Sequence, residues 1–229
     1  MIKDRTTQLI YQTIYCTLGI VGFFASLGIF DDVANLRWDF YVHFTALSNY
    51  LCIVIMFATL IQTIRRKEDG FVKINPTLKF LGLMSILLTF LVFNILLAGA
   101  EGRDPQLNWR IGSLLFHVIL PPMFIAEWFL FYEHRKMKWF HPFVATAFPL
   151  GYVAYIFIQA AIMHHDTSLL IPNTTTPFIY PYFFLNLENL GVGGVAKWVV
   201  IIYVAYVIVG FVFFAIDRLG KGNKNLNQQ

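Results

Sequence analysis

Six apolar stretches constrain this chain more than any other feature. Inside a bilayer no water is available to the backbone, so a segment that crosses must satisfy its own N–H and C=O groups as a helix. About 20 apolar residues reach across the hydrocarbon layer. Residues 9–30, 41–64, 79–98, 111–132, 143–163 and 195–216 meet that length, with charged or turn-forming residues between them. Composition agrees: 58% of the 229 residues are hydrophobic and only 13% charged, outside the range of soluble domains. Twenty-four Phe and eleven Tyr suit lipid-facing surfaces and interfacial belts. The expected fold is therefore an all-α, polytopic six-helix transmembrane bundle forming one domain over residues 1–229.

Basic residues beside a span resist translocation. Thirteen of the seventeen Lys and Arg fall in one set of segments: Lys3 and Arg5, then Arg65, Arg66, Lys67, Lys73 and Lys79, then Arg135, Lys136 and Lys138, then Arg218, Lys221 and Lys224. The opposite loops hold Arg37, Arg103, Arg110 and Lys197. That asymmetry predicts cytoplasmic N and C termini. A net charge of +4 confined to such loops offers no nucleic-acid-binding face. The first apolar stretch is too long for a signal-peptide core and reads as a span. Cys16 and Cys52 each sit inside an apolar run, which excludes a disulfide framework. The polar tail 221–229 is expected to be disordered.

One connection is long. Residues 164–194 form a non-cytoplasmic loop whose second half, from Tyr180 to Gly191, is too aromatic to lie free in water. Loops of this length tend to be lids or binding elements, and this one is expected to cover the outer mouth of the bundle. It also carries a glycosylation-type sequon, Asn173-Thr174-Thr175.

Polar side chains in hydrocarbon are costly unless they face another helix, so they mark candidate sites. In the second span Thr45, Ser48, Asn49, Cys52, Thr59 and Thr63 share one helical face, which must look inward. In the fourth, His117 lies in the outer half with Ser113 one turn earlier, and Pro121 removes the hydrogen bond that the His117 carbonyl would otherwise accept. A kink is expected there. Asn94 and Gln159 fall in the same outer layer, so four helices contribute polar groups to it. Thr45 beside His117 supplies a hydroxyl nucleophile and an imidazole general base. Asn49, Ser48, Asn94 and Gln159 are candidates to orient the histidine or stabilise an oxyanion. Each has a plainer role: a membrane-helix Thr commonly bonds its own backbone four residues back, and intramembrane His, Asn and Gln commonly join helices. Glu127 reads as a structural partner for basic residues on its own side. His43, His164, His165 and Asp166 lie near the outer surface without HExxH or CxxC spacing, so no metal is expected, and no cofactor.

The stretches Phe44-Thr45-Ala46-Leu47-Ser48-Asn49, His117 to Pro121 running on to Glu127-Trp128, and Tyr180-Pro181-Tyr182 followed by Phe184-Leu185-Asn186 and Gly191 resemble the prokaryotic six-span integral membrane proteins. Those are similar to the animal androgen-induced and androgen-dependent TFPI-regulating proteins. The resemblance covers nearly the whole chain. It implies a multi-pass protein of the bacterial plasma membrane and a threonine hydrolase acting on fatty acid esters of hydroxy fatty acids or similar acyl lipids. Thr45 and His117 match the essential positions, and Tyr180, Tyr182 and Asn186 join the site from the loop. A lipid carrier or receptor using the same polar layer, and an acyltransferase sharing the covalent intermediate, are the alternatives.

Overall fold

A computed structural model describes residues 1–30, 38–99, 105–171 and 175–220. The sequon residues Asn173 and Thr174 and the tail 221–229 lie outside the described residues. Among the described residues six helices are long and apolar enough to cross a membrane, and the chain is a multi-pass membrane protein. They are α1 (Arg5–Ser26), α2 (Phe44–Arg65), α3 (Pro76–Leu97), α4 (Ile111–Phe131), α5 (His141–Ile162) and α6 (Leu187–Leu219). No β-strand accompanies them among the described residues beyond an isolated bridge between Leu170 and Pro177.

Local chemistry sets the ends. Asp4 accepts the Thr7 N–H at 2.6 Å and starts α1 four residues before the apolar stretch does. Asn75 caps α3 ahead of Pro76, whose missing N–H costs nothing in a first turn. Asn186 accepts the Asn189 N–H at 3.1 Å and starts α6 eight residues earlier than hydropathy suggests. The aromatic loop is correspondingly shorter than 164–194, because its last residues are helical up to a kink at Gly191, where φ is +64°.

Lipid offers apolar side chains as good a partner as a neighbouring helix does, so close packing must hold the bundle together. At Gly22 of α1 a Cβ would stand 2.5 Å from the Phe116 ring, so only glycine lets α1 approach α4 there. Two cores result. One, in the half that carries the termini, centres on Tyr15, Phe80, Phe124 and Trp128. The other, at the opposite end, joins Phe44 and Tyr152 to the loop residues Phe178, Ile179, Tyr182 and Phe184. The aromatic loop therefore packs on the bundle rather than extending into solvent.

Two helices are irregular at one level. In α3 the last five residues, Phe93–Leu97, form a π-turn, and in α4 so do Leu114–Ile119. Such turns are rare and cluster at functional sites. The α4 turn ends where Pro121 and Pro122 begin. The sequence places a kink at those prolines; the structure places a π-turn one residue before them.

Candidate active site

Between α5 and α6 the bundle opens. The two helices meet near the terminal end, where Gly210 lies against Pro142 and the Tyr206 hydroxyl donates to the Ala145 carbonyl at 3.1 Å. Toward the opposite end they diverge and leave a cleft of about 740 Å3, mouth included. Its wall is largely apolar, with Leu88, Val92 and Phe93 from α3, Leu150 and Val153 from α5, and Val199 and Ile202 from α6. The loop closes its top with Tyr182, Phe184 and Leu185. Leu150 and Tyr203 line the cleft yet are exposed on the outer surface of the bundle, so it opens sideways, toward lipid.

Thr45 sits at the loop-covered end of this cleft, as the second residue of α2. Every hydroxyl on the inward face of α2 is buried, but they are used differently. Thr59 donates to the Ile55 carbonyl at 2.7 Å and Thr63 to the Thr59 carbonyl at 3.0 Å, the ordinary backbone-bonding role. Ser48 donates to the Thr45 carbonyl at 3.0 Å and accepts from Thr89 of α3 at 2.6 Å. Thr45 Oγ1 enters none of the hydrogen bonds among the described residues, and the helix start explains it: α2 begins at Phe44, so no earlier turn of the same helix offers Thr45 a carbonyl. Its own N–H points at the Tyr182 hydroxyl 3.5 Å away. The first-turn N–H groups and the helix dipole put partial positive charge beside the hydroxyl, favourable to a developing alkoxide or oxyanion.

Asn49 ties this turn to α4. Its Nδ2 donates to the Thr45 carbonyl at 2.8 Å and to the Phe116 carbonyl at 3.0 Å. Its Oδ1 is buried without a protein partner, and Asn49 does not line the cleft.

His117 lies in the α4 π-turn. Its Nδ1 is 3.0 Å from the Ser113 carbonyl and 3.2 Å from Ser113 Oγ. A carbonyl can only accept, so Nδ1 carries the proton and Nε2 holds the basic lone pair. The ring is stacked on Phe93, centroids 3.5 Å apart and planes 16° apart, and Phe93 in turn lines the cleft. No hydrogen bond joins Thr45 to His117. Phe93 and Thr45 both line the cleft, and His117 lies against Phe93 without lining it. Asn94 donates to the Phe90 carbonyl at 2.8 Å and approaches the His117 carbonyl at 3.4 Å, the one Pro121 leaves without a helical donor. Asn94 itself is exposed on the bundle surface and does not line the cleft.

The remaining candidates are apart. Tyr180 is buried and its hydroxyl pairs with His165 Nδ1 at 2.8 Å, anchoring the loop from outside the cleft; burial holds its phenol above the ordinary pKa. Asn186 is a helix cap. Both amide atoms of Gln159 are buried without protein partners on the face of α5 that also carries Tyr155, away from the cleft lining. Among the described residues no three His, Cys, Asp or Glu side chains converge as a metal site would require.

Two participants escaped the sequence. Phe93 is one of twenty-four phenylalanines, with nothing local to single it out. Tyr152, whose hydroxyl donates to the Val42 carbonyl at 2.8 Å and whose ring borders Tyr182, carries no signal except its place on the inner face of α5.

Comparison with protein-family models, with characterised proteins and with solved structures finds no match to this chain.

Proposed function

We propose that this chain is an intramembrane ester hydrolase that cleaves acyl lipids through Thr45. The observation that carries the reading is an uncommitted threonine hydroxyl, at a helix N-terminus, facing an apolar cleft open to lipid. An acyl chain enters between α5 and α6 and lies along the apolar wall, which brings its ester carbonyl to Thr45. When the Phe93 ring turns aside, His117 Nε2 takes the Thr45 proton as Oγ1 attacks the carbonyl carbon. The oxyanion that forms is met by the Thr45 N–H and the Tyr182 hydroxyl. The imidazolium returns its proton to the leaving alkoxide, and water then cleaves the acyl-threonine by the same groups in reverse order. Fatty acid esters of hydroxy fatty acids, implied by the family resemblance, are the first substrates to test. By the distribution of Lys and Arg both termini are cytoplasmic, and Thr45 works in the outer leaflet of a bacterial plasma membrane.

The Phe93 ring favours a second reading, because a histidine stacked away from the threonine is what a lipid carrier or receptor would show. Labelling of the purified protein with a fluorescent fluorophosphonate separates the two. The hydrolase labels, and both Thr45→Ala and His117→Ala lose the label while remaining folded. An unlabelled, folded wild type gives the carrier reading. Adding an acceptor alcohol lipid to an active preparation distinguishes acyl transfer from hydrolysis by its product.

A further inference from the structure

The half of the bundle near the termini has a polar interior that the ester chemistry does not use. Lys79 of α3 and Glu127 of α4 form an ion pair with side chains 1% and 2% exposed, and the Lys79 ammonium also lies 4.0 Å over the Phe124 ring. Tyr15 of α1 packs its ring 6.0 Å from that of Phe124, is 0% exposed, and its hydroxyl has no protein partner. Tyr15 and the Lys79 ammonium therefore pack on the same Phe124 ring.

Gln8 and Gln12, one turn apart on the same face of α1, make the point. Both are fully buried. Gln8 is satisfied by protein: Nε2 donates to the Ile2 carbonyl at 3.1 Å and the Gly70 carbonyl at 2.9 Å, and Oε1 accepts from Arg66 at 3.0 Å. Gln12, one turn deeper and one turn short of Tyr15, has no protein partner for either amide atom. A buried amide with neither donor nor acceptor used is among the more costly things a packed interior can hold, and side chains in that condition are ordinarily completed by enclosed water.

We propose that Gln12, Tyr15 and the Lys79–Glu127 pair line an internal water site. The ligand must both donate and accept, as the amide and phenol each do. It must be neutral, since the ion pair already balances its own charge. It must also be small, since its partners are closed off from the surface. Water meets all three conditions, bridging Gln12 to Tyr15 and hydrating the ion pair from the α1 side. The site adds bridged hydrogen bonds among α1, α3 and α4 to the direct one that the Tyr11 hydroxyl of α1 donates to the Met123 carbonyl of α4 at 2.7 Å.

Pulsed X-ray radiolysis of the full chain in lipid nanodiscs, in 18O-enriched water, tests this, because hydroxyl radicals born in a bound water oxidise the side chain beside it even when it is buried. Tyr206 is the control: the same chemistry, 5% exposed, but with its hydroxyl spent on the Ala145 carbonyl. Tyr15 is expected to take up label several times faster than Tyr206, and Gln12→Leu to bring the two rates together. A wild-type Tyr15 as silent as Tyr206 overturns the proposal without recourse to any variant. So does Tyr15 labelling that Gln12→Leu leaves unchanged.

Discussion

A threonine and a histidine meet near the termini, whereas the candidate threonine and histidine toward the other end, Thr45 and His117, make no hydrogen bond to each other, and the ring tautomers run opposite to what proximity alone would suggest. Near the termini Thr77 Oγ1 and His141 Nε2 are 3.1 Å apart, the contact a nucleophile and base would make. Yet His141 Nδ1 accepts the Lys138 N–H at 3.2 Å, which puts the ring proton on Nε2. His141 therefore donates to Thr77 and cannot take its proton. At the other end His117 has the tautomer of a base, fixed by the Ser113 carbonyl, but its ring lies on Phe93 instead of reaching Thr45. Thr77 and His141 are joined in a way that bars proton transfer to the ring, and Thr45 and His117 are not joined. What distinguishes them is the partner of the second ring nitrogen, a backbone N–H in one case and a backbone carbonyl in the other.

The strongest way to break this contrast is to remove each hydroxyl. Thr45→Ala is expected to lower turnover of a fluorogenic acyl ester by about three orders of magnitude or more, the usual scale for losing a nucleophile, with Thr45→Ser retaining part of it. Thr77→Ala should leave turnover intact and cost about 1 kcal/mol of stability or less, one partly buried hydrogen bond, read from a thermal melt in detergent. Equal loss of activity in both would mean that the ring tautomer does not decide which threonine reacts.

The ion pair supplies the next largest effect. Lys79→Met leaves the Glu127 carboxylate buried without its partner and should destabilise by roughly 3 to 5 kcal/mol, whereas Lys79→Met with Glu127→Leu should recover most of that. Chemical unfolding in mixed micelles gives both numbers. If the double variant is no better than the single one, the pair contributes more than compensation of its own burial.

Phe93 sharpens the contrast at the other end. Phe93→Ala lets the imidazole turn toward Thr45 and is expected to raise kcat on short-chain esters several-fold, while Phe93→Trp lowers it. Identical rates in wild type and both variants would show that the ring is no barrier. The smallest effect lies at the N-terminus of α1. Hydrogen bonds from Thr7 hold the exposed Asp4 carboxyl below its ordinary value of 3.8. Its folded pKa is depressed, so its contribution to stability is present at neutral pH and is lost as pH falls through that lowered value. Asp4→Ala should thus melt slightly earlier than wild type at pH 7, with the gap closing in strong acid.

Much of this was legible along the chain. Length and hydropathy specify six spans because hydrocarbon thickness and helical rise leave little choice. The inward face of α2 follows from helical periodicity alone, and Thr45, Ser48, Asn49, Cys52, Thr59 and Thr63 are all buried. The expectation that Glu127 serves a basic partner is met by Lys79. These are properties of one helix or of charge in a medium that penalises it. The layer of polar groups drawn from four helices was less well specified. Depth along an axis can be counted from sequence, but the direction a side chain faces depends on how its helix is rotated against its neighbours. Asn94 and Gln159 accordingly lie at the expected end yet outside the cleft.

Tertiary structure alone decided the site's working parts. The divergence of α5 from α6 above Ala145, the closing of the cleft by Tyr182 and Phe184, and the stacking of Phe93 on His117 are contacts between segments far apart in sequence. The facing π-turns shift the register of α3 and α4 only where they pack. Sequence determined which residues are too polar for lipid and therefore must turn inward. Which of them meet, and through which ring nitrogen a histidine is held, was settled by helix packing, because those are questions of angle and distance that no periodicity encodes.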